Sequence, residues 1–569
     1  MASQIDQALE ADHNDVVASM NSIILSGSLL ALIGIGYRIN THRLKHLPES
    51  GAAITLGFLV GCMVRALQLE QEEALLNFRG SFFFYVLLPP IIFEAGLSLK
   101  TQLFVDNLGS IMAFAVVGTL ISTWVVSASM QWAAETEMIG LRDTPLLPIY
   151  CHLFGALISA TDPVATIALF GSSRFRTDPL LHSLINGESV LNDAVAIVLF
   201  STLTHHMHEE EPRLISMGIL GHFGIVLIGS ALMGLAAGAM LSWCFCSSND
   251  LARFPDYEIA GMFLGAYLTF AVTQLFGLSG ITALFCFGVV LAHYNWYNLS
   301  EPSKVASKVI FGTMAKLAEA GVFVYLGVVA ALSLGRFHWH GGCILFALVA
   351  ITVARAAHVF PLSVLLNICR RTRKISNNMS VVMWVSGLRG AIAFALSLRV
   401  PCEGREYLRG SEACQNSDLL VTTTISIVLA TTMVVGTAME KIATALAVIE
   451  PIEPNQLDSL SEPLAGDKAE EDNLLRDQVK TLSSDPSGSC RTWVLPPVSW
   501  TLPSLRFHSR GHLYQAFARF DLEVLQPTFG GPCRARGKEI DRTPKEIFEM
   551  PKYEAEEDTP LQSRAVIFE

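Results

Sequence analysis

Asn186-Gly187-Glu188-Ser189-Val190-Leu191-Asn192-Asp193 sets two carboxylates inside an apolar stretch of membrane-spanning length, roughly residues 184–203. A charged side chain at the centre of a bilayer costs roughly 3 kcal/mol by insertion measurements, and chains carry that cost where the charge handles an ion or a proton. On a helix, Glu188 stacks with Asn192 and Ser189 with Asp193, each pair four residues apart. The four side chains are therefore expected to line one cavity, as half of a site for a cation or proton.

The surrounding composition agrees with a membrane setting. Of 569 residues, 51% are hydrophobic and 16% charged, against about 25% charged in an ordinary soluble protein. The net charge of −12 is spread over loops and tail and excludes a nucleic-acid footprint. Thirteen apolar runs of spanning length recur up to about residue 440: roughly 22–37, 51–68, 82–99, 108–129, 148–170, 184–203, 217–243, 256–276, 278–292, 312–334, 342–367, 380–400 and 419–440. The expected fold is an all-α polytopic membrane protein of about thirteen helices. Asp6, Glu10, Asp12 and Asp15 precede the first run with no basic residue, which is wrong for the start of a secretory signal and favours a retained helix.

With the N-terminus outside, thirteen Lys and Arg fall in inside loops and six in outside loops, the bias that sets membrane orientation. The domains then read as a short outer segment 1–21, a transmembrane domain 22–440 and a cytosolic tail 441–569, mostly flexible and rich in Pro, Ser and Glu. Asn298 and Asn378 head sequons on the cytosolic side and are expected to stay unmodified. Within the tail, Leu513, Phe517 and Phe520 share one face of an amphipathic helix over about 511–525, which either packs under the membrane domain or binds a regulatory partner. No Cys pair has zinc-site spacing. Cys402 and Cys414 share an outer loop and can join if that side is oxidising.

Two further runs are interrupted. Ile158-Ser159-Ala160-Thr161-Asp162-Pro163-Val164 carries a proline that removes a backbone donor and clashes with the preceding turn. Ser386-Gly387-Leu388-Arg389-Gly390 brackets an arginine with two glycines. These lie in the fifth and twelfth runs, matching positions if the seventh run joins two inverted halves of six. Paired broken helices in matching halves are the sequence pointer to a transporter's site. Glu94, after Pro89-Pro90, either faces the cavity or pairs with an arginine, or else is structural, and Glu319 with Arg355 reads as a structural ion pair between helices.

Four segments in order resemble the sodium/proton exchangers of the monovalent cation:proton antiporter family: Leu88-Pro89-Pro90-Ile91-Ile92-Phe93-Glu94, Ala160-Thr161-Asp162-Pro163-Val164-Ala165, Gly187-Glu188-Ser189-Val190-Leu191-Asn192-Asp193-Ala194 and Gly387-Leu388-Arg389-Gly390-Ala391-Ile392-Ala393-Phe394. The resemblance spans roughly residues 20–440. A short tail match, Phe520-Asp521 with Leu525-Gln526-Pro527, is similar to animal endosomal and Golgi members. The resemblance implies inverted repeats with two broken crossing helices, a homodimer in membrane lipid, elevator-like alternating access, and electroneutral exchange of one Na⁺ (or K⁺) for one H⁺ without a cofactor. It implies that Asp193 and Asp162 hold the ion, with Thr161, Ser189 and Asn192 as further ligands, and that Glu188 pairs with Arg389 beside it. It implies a plasma-membrane, endosomal or Golgi location and a tail open to cytosolic regulatory proteins. A cation channel or a K⁺-selective exchanger is the alternative; no filter loop such as TVGYG is present.

Overall fold

The computed structural model describes residues 22–39, 41, 48–67, 83–99, 101–170 apart from 143 and 163, 175–206, 217–370 apart from 249 and 336, 374–402, 414–446, 449–451 and 520–530. Each of the thirteen apolar runs carries helix. In chain order these are α1 (Ser22–Ile39), α2 (Glu49–Ala66) and α3 (Phe83–Leu97). Next comes α4, built of Thr101–Met112 and Thr119–Glu135 joined through a π-helical turn at Ala113–Gly118. The fifth run is split into α5 (Leu147–Ser159) and α6 (Val164–Phe170). Then follow α7 (Pro179–His206), α8 (Met217–Ser247), α9 (Pro255–Leu275), α10 (Gly280–His293), α11 (Glu301–Ser333) and α12 (Gly341–Cys369). The twelfth run is split into α13 (Asn377–Val385) and α14 (Ala391–Ser397). The last, α15 (Gln415–Ala430), continues through a π-helical turn into Gly436–Ala445. Among the described residues, nine helices are long and apolar enough to cross a membrane, and Phe83–Leu97, Leu147–Ser159 and Gly280–His293 are shorter apolar helices. Leu, Ile and Trp side chains on α8, α9 and α12, such as Ile225, Trp243, Leu264 and Ile368, are exposed. That is the expected outer face of helices whose solvent is lipid.

Packing separates the helices into two bodies. In one, α11 lies along α2, α8 along α10, and α10 against α3. The α2–α11 seam is close because two glycines meet backbone to backbone: a Cβ on Gly57 would overlap the Val324 carbonyl, and one on Gly327 the Ile54 carbonyl. Small residues at such seams let lipid-embedded helices gain van der Waals contact where no hydrophobic force separates helix from lipid. The other body gathers α4, α5, α7, α12 and α15 around the split helices, with α4 along both α5 and α12. Its fully buried aromatic side chains include Tyr150, Phe154 and Phe394. The two bodies meet where α7 runs beside α8 and where α11 touches α14.

Three features close the ends. At one end a disulfide joins Cys402 to Cys414 across the α14–α15 loop, so the pairing left open in the sequence is made. On the opposite side, a short antiparallel pair forms between β1 (Phe175–Thr177) and β2 (Ile449–Pro451). On that side too, a π-helical turn at Asp521–Leu525 leads into α16 (Gln526–Phe529), which packs on α8. The tail helix expected over about 511–525 is thus seen only from Phe520 onward; Leu513 and Phe517 lie outside the described residues, as does Pro163.

Candidate ion site at the crossing of two split helices

The chain leaves α5 at Ala160, whose extended backbone (φ −58°, ψ 127°) ends the helical hydrogen-bond ladder. It leaves α13 at Ser386 and resumes helix only after Gly390 (φ −131°, ψ −157°). The two unwound stretches cross, and the amide of Asp162 donates to the Leu388 carbonyl at 2.9 Å. Gly390 is required here by space: a Cβ on it would overlap the Asp162 carboxylate. Irregular backbone at membrane depth is tolerated because it is enclosed by protein and its polar groups find partners.

Split helices leave carbonyls without intrahelical donors, and two arginines supply them. Arg389 Nη1 donates to the Ser159 and Ala160 carbonyls, both at 3.1 Å, closing the end of α5. Arg355, from α12, donates to the Met383 carbonyl through Nη2 at 3.0 Å and Nε at 3.3 Å, closing the end of α13. Each places positive charge where the helix dipole is negative.

The ion pairing differs from the sequence expectation. Glu188 pairs with Arg355, Nη1 to Oε1 at 2.6 Å, both side chains almost fully enclosed. Neither Glu188–Arg389 nor Glu319–Arg355 forms. The reason is geometric: Glu188 lies on the face of α7 turned toward α12, and Arg389 is directed back at the end of α5. Glu319, on α11, belongs to the other body and stays half-buried. Glu94, on α3, is half-buried as well.

Around α7 the remaining polar residues face the α5–α6 break. Ser189 Oγ donates to the Thr161 carbonyl at 3.1 Å. Asn192 Nδ2 donates to the Ser159 carbonyl at 3.1 Å and to Thr161 Oγ1 at 3.0 Å. Asn192 Oδ1 accepts from Thr119 Oγ1 at 2.8 Å. So Asn192, expected among the ligands, is engaged on both ends of its amide and positions the break. Glu188, expected in the same cavity, looks away from it. Thr119 was missed in the sequence, because a threonine in an apolar run signals nothing by itself. It begins the helix just after the π-helical turn of α4, a distortion found often at functional positions.

Asp193 stands apart. It is buried, and its Oδ1 has no hydrogen-bond partner among the described residues. Buried polar atoms are nearly always paired, and an unpaired carboxylate oxygen is costly to keep unless something binds it. The neighbouring oxygens of Thr161, Ser189 and Asp162 are hard donors of the type that replaces the water shell of a hard cation. Among the described residues no group of three or more His, Cys, Asp and Glu could hold a metal ion.

The comparisons with known proteins place the chain in a family. The transmembrane sodium/hydrogen exchanger family model matches residues 28–445. This chain belongs to the sodium/hydrogen exchanger family. Sodium/hydrogen exchanger 8 of Rattus norvegicus is 37% identical over 442 residues, covering 76% of this chain and 72% of that protein. Sodium/hydrogen exchanger 1 of Arabidopsis thaliana is 34% identical over 456 residues, covering 77% of this chain and 80% of that one. The solved structure of the sodium proton antiporter MjNhaP1 from Methanocaldococcus jannaschii superposes with a TM-score of 0.57, at 19% identity over 76% of this chain and 98% of that one, and so shares the fold. As an exchanger-family chain it is a multi-pass membrane protein.

Proposed function

We propose that the chain is an electroneutral antiporter that exchanges Na⁺, or K⁺, for H⁺ by alternating access, for pH and cation homeostasis. The observation that carries this is the partnerless oxygen of Asp193 at the crossing of the two split helices. One carboxylate can take a cation or a proton but not both together, so the two ions compete for a single seat. Thr161, Ser189 and Asp162 supply the other oxygens toward the cation.

Charge balance supports one-for-one exchange. At the crossing, Glu188 is matched by Arg355 at 2.6 Å, while Asp193 keeps an oxygen without a partner among the described residues. The charge of Asp193 is then the one that a single Na⁺ or a single H⁺ cancels. Either loaded form is then neutral and moves without regard to membrane potential. The empty form carries an uncompensated charge through an apolar barrier, which opposes slippage. The amide at Asn192 fits the same reading. Its Nδ2 must donate to the Ser159 carbonyl and Thr161 hydroxyl, which a carboxylate could not do, and a second acid would break the balance.

Reconstitution tests this. In proteoliposomes with an outward H⁺ gradient, Na⁺ or K⁺ uptake should be obligatorily coupled to H⁺ efflux and carry no net current. Cation flux without H⁺ coupling would instead establish a channel, and a steady current would overturn the one-for-one stoichiometry. Parallel arms with Na⁺, K⁺ and Li⁺ rank the substrates.

A further inference from the structure

The tail segment from Phe520 to Gly530 is seated by specific groups. The Asp521 carboxylate accepts from Tyr294 Oη at 2.5 Å and Gln526 Nε2 at 2.9 Å, and meets His293 Nε2 at 3.4 Å. Asn298 Nδ2 donates to the Phe529 carbonyl at 2.8 Å and to the Ser242 carbonyl, near the end of α8, at 3.1 Å. The Phe529 ring meets Tyr294 edge-on at 6.1 Å. Gly530 adopts φ 108°, open to glycine, and lies where any Cβ would overlap the Asn298 amide. Asp521 and Gln526 are both buried. Burial alone would raise the Asp521 carboxyl, but hydrogen bonds from His293, Tyr294 and Gln526 outweigh it and hold it below the ordinary carboxylate range. A charge-assisted anchor, a bridging amide and a shaped glycine form a recognition site rather than an incidental contact.

We propose that the corner formed by Ser242, His293, Tyr294 and Asn298 is a peptide-docking site, and that its occupant is the chain's own Phe520–Gly530 segment, anchored by Asp521. The seat belongs to the body containing α8 and α10. The segment, in sequence, hangs from the end of α15 in the other body. The seat is also distinct from the ion site: none of its residues takes part in the crossing.

The full-length protein in detergent supplies the test. Hydrogen–deuterium exchange should show amides 521–530 protected in the parent chain and released in the Asp521→Ala variant. Tyr294→Phe, which removes only a hydroxyl, should lower that protection by about tenfold, the size of one hydrogen bond to a charged group. A labelled synthetic peptide of residues 517–532 should then bind the Asp521→Ala protein, whose seat is vacated, and not the parent chain. The same peptide with Asp521→Ala should bind neither. Parent amides that exchange as a free chain, protection unchanged in both variants, or equal binding of the two peptides would each overturn the proposal.

Discussion

The ends of α5 and α13 both present open carbonyls at the crossing, and both are met by one arginine, yet the two arginines are balanced differently. Arg355 closes α13 and is itself neutralised by Glu188 at 2.6 Å. Arg389 closes α5 through main-chain oxygens only, and its Nε has no hydrogen-bond partner among the described residues. One end is therefore a neutral, sealed structural unit. The other keeps a positive charge next to the aspartates. The comparison teaches that similar split helices divide the labour: the Arg355 side is a closed ion pair, and the Arg389 side, in the proposed scheme, sets the charge against which one cation or one proton is counted.

The most damaging change to this division is Asp193→Asn. It removes the only negative charge that the ion or proton is proposed to cancel, and exchange should fall to the level of protein-free vesicles while the protein remains monodisperse. Uptake of ²²Na⁺ driven by a pH gradient checks this, and measurable uptake by the variant would sink the competition scheme.

Next in size is Arg355→Met. It leaves Glu188 buried and unpaired, at a cost of about 3–5 kcal/mol. Thermal unfolding should show a large loss, and the double variant Arg355→Met/Glu188→Gln should recover most of it. Glu188→Gln should not rescue Arg389→Met, because the two residues do not share a bond. If rescue ran the other way, the pairing described above would be wrong.

Gly390→Ala attacks the crossing itself. The new methyl would meet the Asp162 carboxylate, and overpacking of this kind costs about 1–3 kcal/mol. Loss of transport should exceed loss of thermal stability, since the strain falls on a proposed ligand.

The smallest expected effect is at Thr119. Thr119→Val leaves Asn192 Oδ1 without its donor, a penalty of about 1–2 kcal/mol, and should weaken apparent Na⁺ affinity by roughly tenfold. Thr119→Ser restores the hydroxyl and should restore the affinity. An equal loss in both variants would mean that the methyl packing matters and the hydrogen bond does not.

Much of this was legible in the chain. The runs of apolar residues were long enough to demand helices, because lipid leaves backbone groups no other partner. The two interruptions were visible because Pro163, Gly387 and Gly390 are poor helix residues amid good ones. The cost of carboxylates in hydrocarbon singled out Asp162, Glu188 and Asp193. Partner choice was not legible. Two buried arginines and several buried carboxylates allow many pairings, and sequence spacing cannot rank contacts between residues more than a hundred positions apart. Thr119 and the seat of Asp521 were hidden for the same reason, since each gains its role from a neighbour distant in the chain.

The sequence by itself determined the membrane class, the positions of the breaks and the residue types at the site, because these follow from local costs of burying charge and breaking helix. Only the tertiary structure decided that Glu188 goes to Arg355, that Arg389 closes α5, and that Asp193 is left with an open oxygen. Those outcomes depend on which helix faces which, and a helix presents its side chains around a full circle until packing selects one direction.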